Sequence, residues 1–166
     1  SSDSTLEAVK SSIDATLLPL GLKPDEVNLK PWGLEYKFSK QQTPNFVAHF
    51  FGADALPETV LKQPFGPKII AVQGTMRLSW HFHERKDAYL VGLTGDVDVY
   101  ANATDTEVTP VSVPAGQLIH IPHLIRHRLG SPTTWIVVAE CSLDVFAENP
   151  SDDSDQIRLS DDFGRA

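Results

Sequence analysis

Short stretches of strand-forming residues, separated by turn residues, occupy most of the chain from position 35 onwards. The turns carry Gly74, Gly95, Gly116 and Pro122, which interrupt regular structure. About ten short strands at such spacing are typical of an all-β sandwich or barrel of the jelly-roll type. The predicted strands are 35–39, 46–51, 68–73, 77–83, 88–93, 96–101, 107–113, 118–121, 126–129 and 134–141.

One amphipathic α-helix is predicted ahead of the strands. Ser4 and Glu7 have the spacing of a capping box, with Ser4 as the N-cap. Apolar residues then recur at helical spacing from Leu6 to Leu20, and Gly21 is a C-cap candidate. We therefore divide the chain into a helix with an entry segment, a β-barrel, and an acidic tail that packs on the barrel, at residues 1–34, 35–147 and 148–166.

Charge and composition narrow the class of protein. The 166 residues carry a formal net charge of −8, which argues against nucleic acid as a partner. Cys141 is the only cysteine, so an internal disulfide is excluded and a reducing compartment is expected. No apolar run approaches the roughly 18 residues that a membrane-spanning helix needs. We expect a cytoplasmic protein that contacts neither nucleic acid nor membrane.

Five of the six histidines lie between positions 81 and 127. Alternate side chains of a strand share a face, so His81 and His83 are expected side by side. His127 from a neighbouring strand would complete a three-histidine metal site, with positions left open for water or substrate. The alternative is a chance pair on a strand, with one ring facing solvent.

Two separated blocks of residues resemble the two sequence motifs of the cupin superfamily. The residues that match are Gly74, His81, His83 and Gly95 in the first block, and Gly116, Pro122 and His127 in the second. The resemblance implies a small double-stranded β-helix, or jelly-roll barrel, that holds a metal ion in its mouth.

A narrower resemblance, over most of the chain, is to the cupin domains of type II mannose-6-phosphate isomerases. It rests on the segments 30–33, 74–79 and 155–165, and on Glu140, which sits where their final strand carries a glutamate. The resemblance implies a sugar or sugar-phosphate ligand, a divalent metal and aldose–ketose isomerisation.

The family pattern has a glutamate as the fourth metal ligand, and this chain has Ala88 in that place. The adjacent Asp87 is the candidate fourth ligand if the preceding turn is shortened; otherwise it is a turn carboxylate paired with Arg85 or Lys86. Arg85 and Lys86 are themselves candidates to bind a phosphate or carboxylate of the substrate at the barrel mouth. The alternative for both is a solvated hairpin turn.

Three functions remain open on this sequence. The first is a metal-dependent isomerase with Zn, Mn, Fe or Ni, in which Glu140, His123 or a metal-bound hydroxide is the base. The second is a three-histidine non-haem iron dioxygenase, because the family's glutamate is missing. The third is a non-catalytic cupin that binds a sugar or an acid. A homodimer is expected in each case, since the leading helix and the edge strands need covering.

Overall fold

The structure, a computed structural model, describes residues 5–146, 148 and 155–166. In these residues the chain forms two α-helices, α1 (Leu6–Leu17) and α2 (Thr43–Phe50), and eleven β-strands. The strands are β1 (Glu26–Lys30), β2 (Gly33–Lys37), β3 (Lys68–Val72), β4 (Trp80–His83), β5 (Lys86–Thr94), β6 (Val97–Asn102), β7 (Val111–Val113), β8 (Leu118–Ile121), β9 (Arg126–Gly130), β10 (Ile136–Asp144) and β11 (Gln156–Ser160).

The strands form two antiparallel sheets. The larger sheet has the order β1-β2-β3-β10-β5-β8, and the smaller has the order β11-β4-β9-β6-β7. Neighbours in a sheet are mostly distant in sequence, so the chain crosses repeatedly between the sheets, as a jelly roll requires. The predicted all-β jelly roll with an N-terminal helix is thus confirmed.

Strand alternation divides the apolar residues into two cores. On β3, Ile70 and Val72 face the second sheet and pack with Leu90 and Val138, whereas Ile69 faces the opposite side. The inner core lies between the sheets and the outer core lies under the helices. A strand buried on both faces carries a continuous apolar run, which is what residues 69–72 show.

Helix α1 covers part of the outer face of the larger sheet. Its buried residues Val9, Ile13 and Leu17 belong to the outer core. The N-cap is Thr5, whose hydroxyl accepts a hydrogen bond from the Ala8 N–H at 3.2 Å. The predicted N-cap, Ser4, lies outside the described residues.

Two local predictions were wrong. The predicted strand 46–51 lies mostly in helix α2, because an apolar run this short is compatible with either structure. Pro44 in its first turn favours the helix, and the Phe46 ring packs 4.8 Å from the Phe50 ring, one helical turn later. The predicted entry segment, for which no strand was expected, contains β1, which pairs with β2.

The carboxy-terminal segment adds a strand to the barrel. β11 pairs antiparallel with β4, placing Gln156 opposite His83 and Arg158 opposite His81. Asp162 accepts hydrogen bonds from Arg77 and holds the segment against the smaller sheet. The proposed boundaries at 34/35 and 147/148 stay predictions. No helix in the described part of the chain is both long and apolar enough to span a bilayer.

Candidate metal centre

Strands β4 and β9 bring three histidines together inside the barrel. His81 and His127 are paired across the two strands, and His83 lies two residues further along β4. Nitrogen atoms of the three rings all lie within 4.8 Å of one another. The ring centroids are 4.5 Å apart for His81 and His127 and 5.1 Å apart for His81 and His83. This spacing allows one ion to contact all three rings.

Backbone carbonyls set the protonation of two of these rings. Nδ1–H of His81 donates to the Ser79 carbonyl at 2.8 Å, and Nδ1–H of His127 donates to the Ile125 carbonyl at 2.9 Å. Because a carbonyl only accepts, Nδ1 carries the proton and Nε2 keeps its lone pair for a ligand. Nδ1 of His83 is buried and has no hydrogen-bond partner among the described residues.

The three rings are held in the neutral form that binds metal. Burial lowers the pKa of His81 well below its usual value, and the neighbouring His127 lowers it further. Burial also lowers the pKa of His83, with a second contribution from His81, and it lowers the pKa of His127. Three neutral imidazoles form a donor set that suits Zn, Fe, Ni or Cu. The residues present therefore fit a divalent metal.

The pocket around the histidines is cationic although the chain is acidic. Its described lining contains five positively charged side chains and two carboxylates, against a net charge of −8 for the whole chain. The charged residues are Lys30, Lys68, Lys86, Arg158, Arg165, Glu35 and Glu140. Such a pocket concentrates small anions.

Glu140 lies in this pocket, where a catalytic base is expected. It is on β10, opposite Lys68 of β3 and Leu90 of β5. Its alternation with Ile136 and Val138 turns it toward the inside of the barrel. Its charge also acts in the direction of raising the pKa of the His127 ring.

Arg85 and Lys86, the two predicted anion-binding residues, lie in different surroundings. Lys86 lines the pocket, with its ammonium group 5.5 Å from the centre of the Phe65 ring. Arg85 is not part of the pocket lining; its Nε lies 3.5 Å from a carboxylate oxygen of Asp155. The two residues are adjacent, so when one points inward the other points away.

Asp87 does not lie with the three histidines, so its assignment as a fourth metal ligand is corrected. Ala88 lines the pocket, and the preceding residue on β5 faces the other side of the sheet. There the Asp87 carboxylate accepts hydrogen bonds from His123 N–H at 2.8 Å and from the His120 and His123 rings at 3.0 Å each. Burial raises the pKa of Asp87, but these hydrogen bonds outweigh it and the net pKa is lowered.

His123, assigned as a candidate base, belongs to the same outer cluster. Its Nδ1 contacts Asp87 and its ring meets the Phe146 ring edge-on at 5.7 Å. His120 stacks on Tyr89 with the ring centres 4.6 Å apart and the planes 5° from parallel. His123 is absent from the described pocket lining, so the structure does not bring it to the metal centre.

The sequence analysis missed the contribution of the last strand to the pocket. Gln156 and Arg158 on β11, and Arg165 beyond it, line the pocket. Arg165 is held by Asp161, whose two carboxylate oxygens accept from its guanidinium at 2.7 Å each. The available signal was the two-residue spacing of Gln156 and Arg158 in a strand-like segment, but nothing local shows which strand it joins.

No family model matches the chain, and no curated protein matches it. Among solved structures, the chain is similar to the capsular polysaccharide assembling protein CapF from Staphylococcus aureus. One CapF structure is 16% identical, with a TM-score of 0.56, over 82% of this chain and 32% of CapF. A second is 14% identical, with a TM-score of 0.54, over 81% and 34%. Procruciferin, an 11S globulin from Brassica napus, is 15% identical, with a TM-score of 0.52, over 74% and 28%.

The fold is that of a cupin. CapF and the 11S globulin are both cupins, and likeness at this level of identity establishes the fold alone. The chain spans about a third of the length of these structures or less. The comparisons do not support the narrower resemblance to mannose-6-phosphate isomerases.

Proposed function

We propose that this cupin is a divalent-metal-dependent enzyme that isomerises a small sugar phosphate. The proposal rests mainly on one observation: three neutral histidines share a pocket with the carboxylate of Glu140 and an excess of cationic groups. The same cavity thus contains candidates for the metal donors, the proton acceptor and the anion-binding groups that such a reaction needs.

His81, His83 and His127 would hold the ion. Three protein ligands leave further coordination positions open to water or substrate, unlike a closed structural site. A divalent ion bound there would polarise the carbonyl and adjacent hydroxyl oxygens of a sugar. The Nδ1–H bonds of His81 and His127 to backbone carbonyls keep these two rings oriented.

Glu140 is the proposed base. In an aldose–ketose isomerisation its carboxylate removes a proton from the hydroxyl-bearing carbon next to the carbonyl and returns it to the former carbonyl carbon, while the proton of that hydroxyl passes to the former carbonyl oxygen. The substrate and product then have the same composition, so no further reactant is consumed.

The cationic groups are proposed to bind the phosphate. Lys86 and Arg158 both line the pocket that contains His81, and their charges act in the direction of lowering the pKa of that ring. A guanidinium matches a phosphate bidentately, and an ammonium adds a second charge. Arg165, whose guanidinium is oriented by hydrogen bonds to Asp161, can donate further hydrogen bonds to the phosphate.

The test is metal analysis of natively purified protein together with His127→Ala. The native protein is expected to hold about one equivalent of metal and to interconvert an aldose phosphate and its ketose, because three donors suffice for a catalytic site. His127→Ala should lose both properties. The exposed His49 provides a control, since His49→Ala leaves the three-histidine group intact. Full metal content in His127→Ala would contradict the proposal.

A three-histidine iron dioxygenase is the second candidate. It is favoured by the position of Asp87, whose carboxylate is hydrogen-bonded to His123 outside the pocket. The three residues that could bind a metal, His81, His83 and His127, then offer only imidazole nitrogens. Anaerobic loading with Fe(II) and measurement of oxygen uptake distinguish the two reactions. Turnover with Zn(II) or Mn(II) in the absence of oxygen supports the isomerase. Ligand binding by metal-free protein, without turnover, would instead support a non-catalytic cupin.

A homodimer and a cytoplasmic location stay predictions. β1 lies at the end of the larger sheet with Leu29 72% exposed, and β7 lies at the end of the smaller sheet with Val111 67% exposed. Exposed apolar residues on edge strands favour association. Light scattering is expected to give twice the chain mass of 18.3 kDa.

A further inference from the structure

Asp155 is a buried carboxylate at the start of the carboxy-terminal segment. It is 1% exposed, and one of its oxygens accepts backbone N–H groups of Glu84 at 2.8 Å and Arg85 at 3.0 Å. The Arg85 guanidinium lies 3.5 Å from the same oxygen. These contacts attach the segment to the turn that immediately follows the metal-site strand β4.

The other carboxylate oxygen faces a histidine of the metal centre. Oδ2 of Asp155 accepts the Arg85 N–H at 3.3 Å and lies 3.8 Å from Nδ1 of His83, which is the buried nitrogen without a hydrogen-bond partner among the described residues. In His81 and His127 the corresponding nitrogen donates to a backbone carbonyl. A buried imidazole N–H needs an acceptor, and Asp155 is positioned to supply one.

We propose that Asp155 is a positioning residue for His83. It would accept the Nδ1–H of the ring, so that Nε2 faces the metal, and this role rests on the proposed metal centre. The present separation exceeds a hydrogen bond of about 2.9 Å by roughly one ångström, which a small ring rotation can close. A carboxylate behind a metal-bound imidazole fixes the tautomer and raises the basicity of the ligand nitrogen.

A second contact connects the same segment to His81. The Gln156 side chain donates to the Ser79 hydroxyl at 3.3 Å, and this hydroxyl lies 3.2 Å from Nδ1 of His81. The segment therefore reaches both histidines of β4, while β11 pairs with that strand. Metal binding and docking of the segment then stabilise each other, because the same rings take part in both.

The experiment measures Zn(II) affinity for wild-type protein and Asp155→Asn by competition with a chromophoric chelator. Asparagine keeps one oxygen for the backbone N–H groups of the turn but has no charge to orient His83. Affinity is expected to fall about 10–100-fold. Absorption of the Co(II)-loaded protein should also change in Asp155→Asn, since a ligand ring that is no longer oriented alters the geometry at the ion.

Asp162→Asn is the matched control. Asp162 lies in the same segment and pairs with Arg77 at 2.8 Å and with Arg128 at 3.3 Å, on the smaller sheet. Its neutralisation should lower the free energy of unfolding of the metal-free protein and leave Zn(II) affinity at the wild-type value. If Asp162→Asn weakens Zn(II) binding as much as Asp155→Asn does, Asp155 acts only by fastening the segment, and the inference is overturned.

Nitrogen-15 NMR of the wild-type imidazoles tests the proposal without a variant. Zn(II)-loaded protein is expected to show His83 protonated at Nδ1 and coordinated through Nε2; coordination through Nδ1 would refute the role of Asp155. Wild-type Zn(II) affinity in Asp155→Asn would also refute it. Failure of the wild-type protein to bind Zn(II) or Co(II) at all would instead remove the proposed function.

Discussion

Asp87 and Ala88 are adjacent on β5 and face opposite sides of the same sheet. Ala88 points to the metal centre, while Asp87 accepts three hydrogen bonds from His120 and His123 on the outer side. A carboxylate so placed stabilises the end of strand β8 and the turn that follows it. The Asp87 carboxylate cannot also reach the ion unless the register of β5 shifts by one residue. Such a shift would move all side chains of the strand to the opposite face.

Asp87→Asn is therefore expected to keep the full metal content and to lose stability. Removing the charge from a hydrogen-bonded, largely buried carboxylate costs about 1–3 kcal/mol in the free energy of unfolding at pH 7. Denaturant unfolding and metal analysis of the same sample check both halves. Asp54→Asn, at an exposed position, is the control. Loss of metal from Asp87→Asn would return Asp87 to the ligand set.

The lowered pKa of Asp87 also predicts a pH dependence. The ionised form is the one stabilised by folding, so its contribution is complete above the usual carboxyl pKa of 3.8 and is lost as the pH falls through the lower folded value. Asp87→Asn should flatten the decline in unfolding free energy over that acidic range. If the unfolding free energy of Asp87→Asn declined at acidic pH as steeply as that of the wild type, the hydrogen bonds would not favour the ionised carboxyl.

At the scale of elements, strand alternation accounts for both cores and for the pocket. On β10, Glu140 shares the inward face with Ile136 and Val138, so one strand contributes both to the core packing and to the pocket lining. Helix α2 shows where such reasoning is insufficient. Its apolar run is compatible with a strand or a helix, and packing of Phe46 under the larger sheet favours the helix.

The carboxy-terminal segment contains an ion pair that can be tested by pH. Hydrogen bonds from the Arg165 guanidinium hold the pKa of Asp161 at about 2, and the Arg165 backbone N–H also donates to it at 2.9 Å. The contribution of the pair is present above the usual pKa of 3.8 and is lost between there and about 2. Asp161→Asn should cost about 1 kcal/mol at neutral pH. The unfolding free energy of Asp161→Asn, measured from pH 7 to pH 2, should converge with the wild-type value at the acidic end. A constant difference between the two proteins would contradict this account.

At the scale of the whole molecule, the sign of the charge differs between pocket and chain. A net charge of −8 repels anions at long range, whereas the pocket presents five cationic side chains in its described lining. Long-range repulsion is screened beyond about 10 Å at moderate ionic strength, so the local field of the pocket dominates for a bound anion. The tertiary arrangement therefore permits an acidic protein to bind an anionic substrate.

Anion binding can be measured with inorganic phosphate. Lys86→Met combined with Arg158→Gln is expected to weaken phosphate binding tenfold or more, because each charged hydrogen bond contributes about 1.5–3 kcal/mol. Lys62→Met, at an exposed position outside the pocket, should have no effect. Isothermal titration at two salt concentrations checks the electrostatic origin. Equal phosphate affinity in all three proteins would count against an anionic substrate.

What the sequence determined by itself is local. Two-residue periodicity places His81 and His83 on one face, and the turn residues limit the strands to the length that a jelly roll uses. The second motif placed His127 on a separate strand, and the structure pairs that strand with β4. These features follow from neighbouring residues, so they can be read without knowledge of the fold.

The tertiary structure alone decided which strands meet and which face of each is inside. Pairing of β11 with β4 joins residues more than seventy positions apart, brings Arg158 into the pocket and leaves Asp155 3.8 Å from Nδ1 of His83. The outward direction of Asp87 follows from the register of β5 against β10 and β8. Register and long-range pairing are set by burial of whole faces, because a slip of one residue costs the entire apolar face of a strand. That free energy depends on contacts between residues far apart in the sequence. The contribution of β11 to the pocket could therefore be recognised only in the tertiary structure.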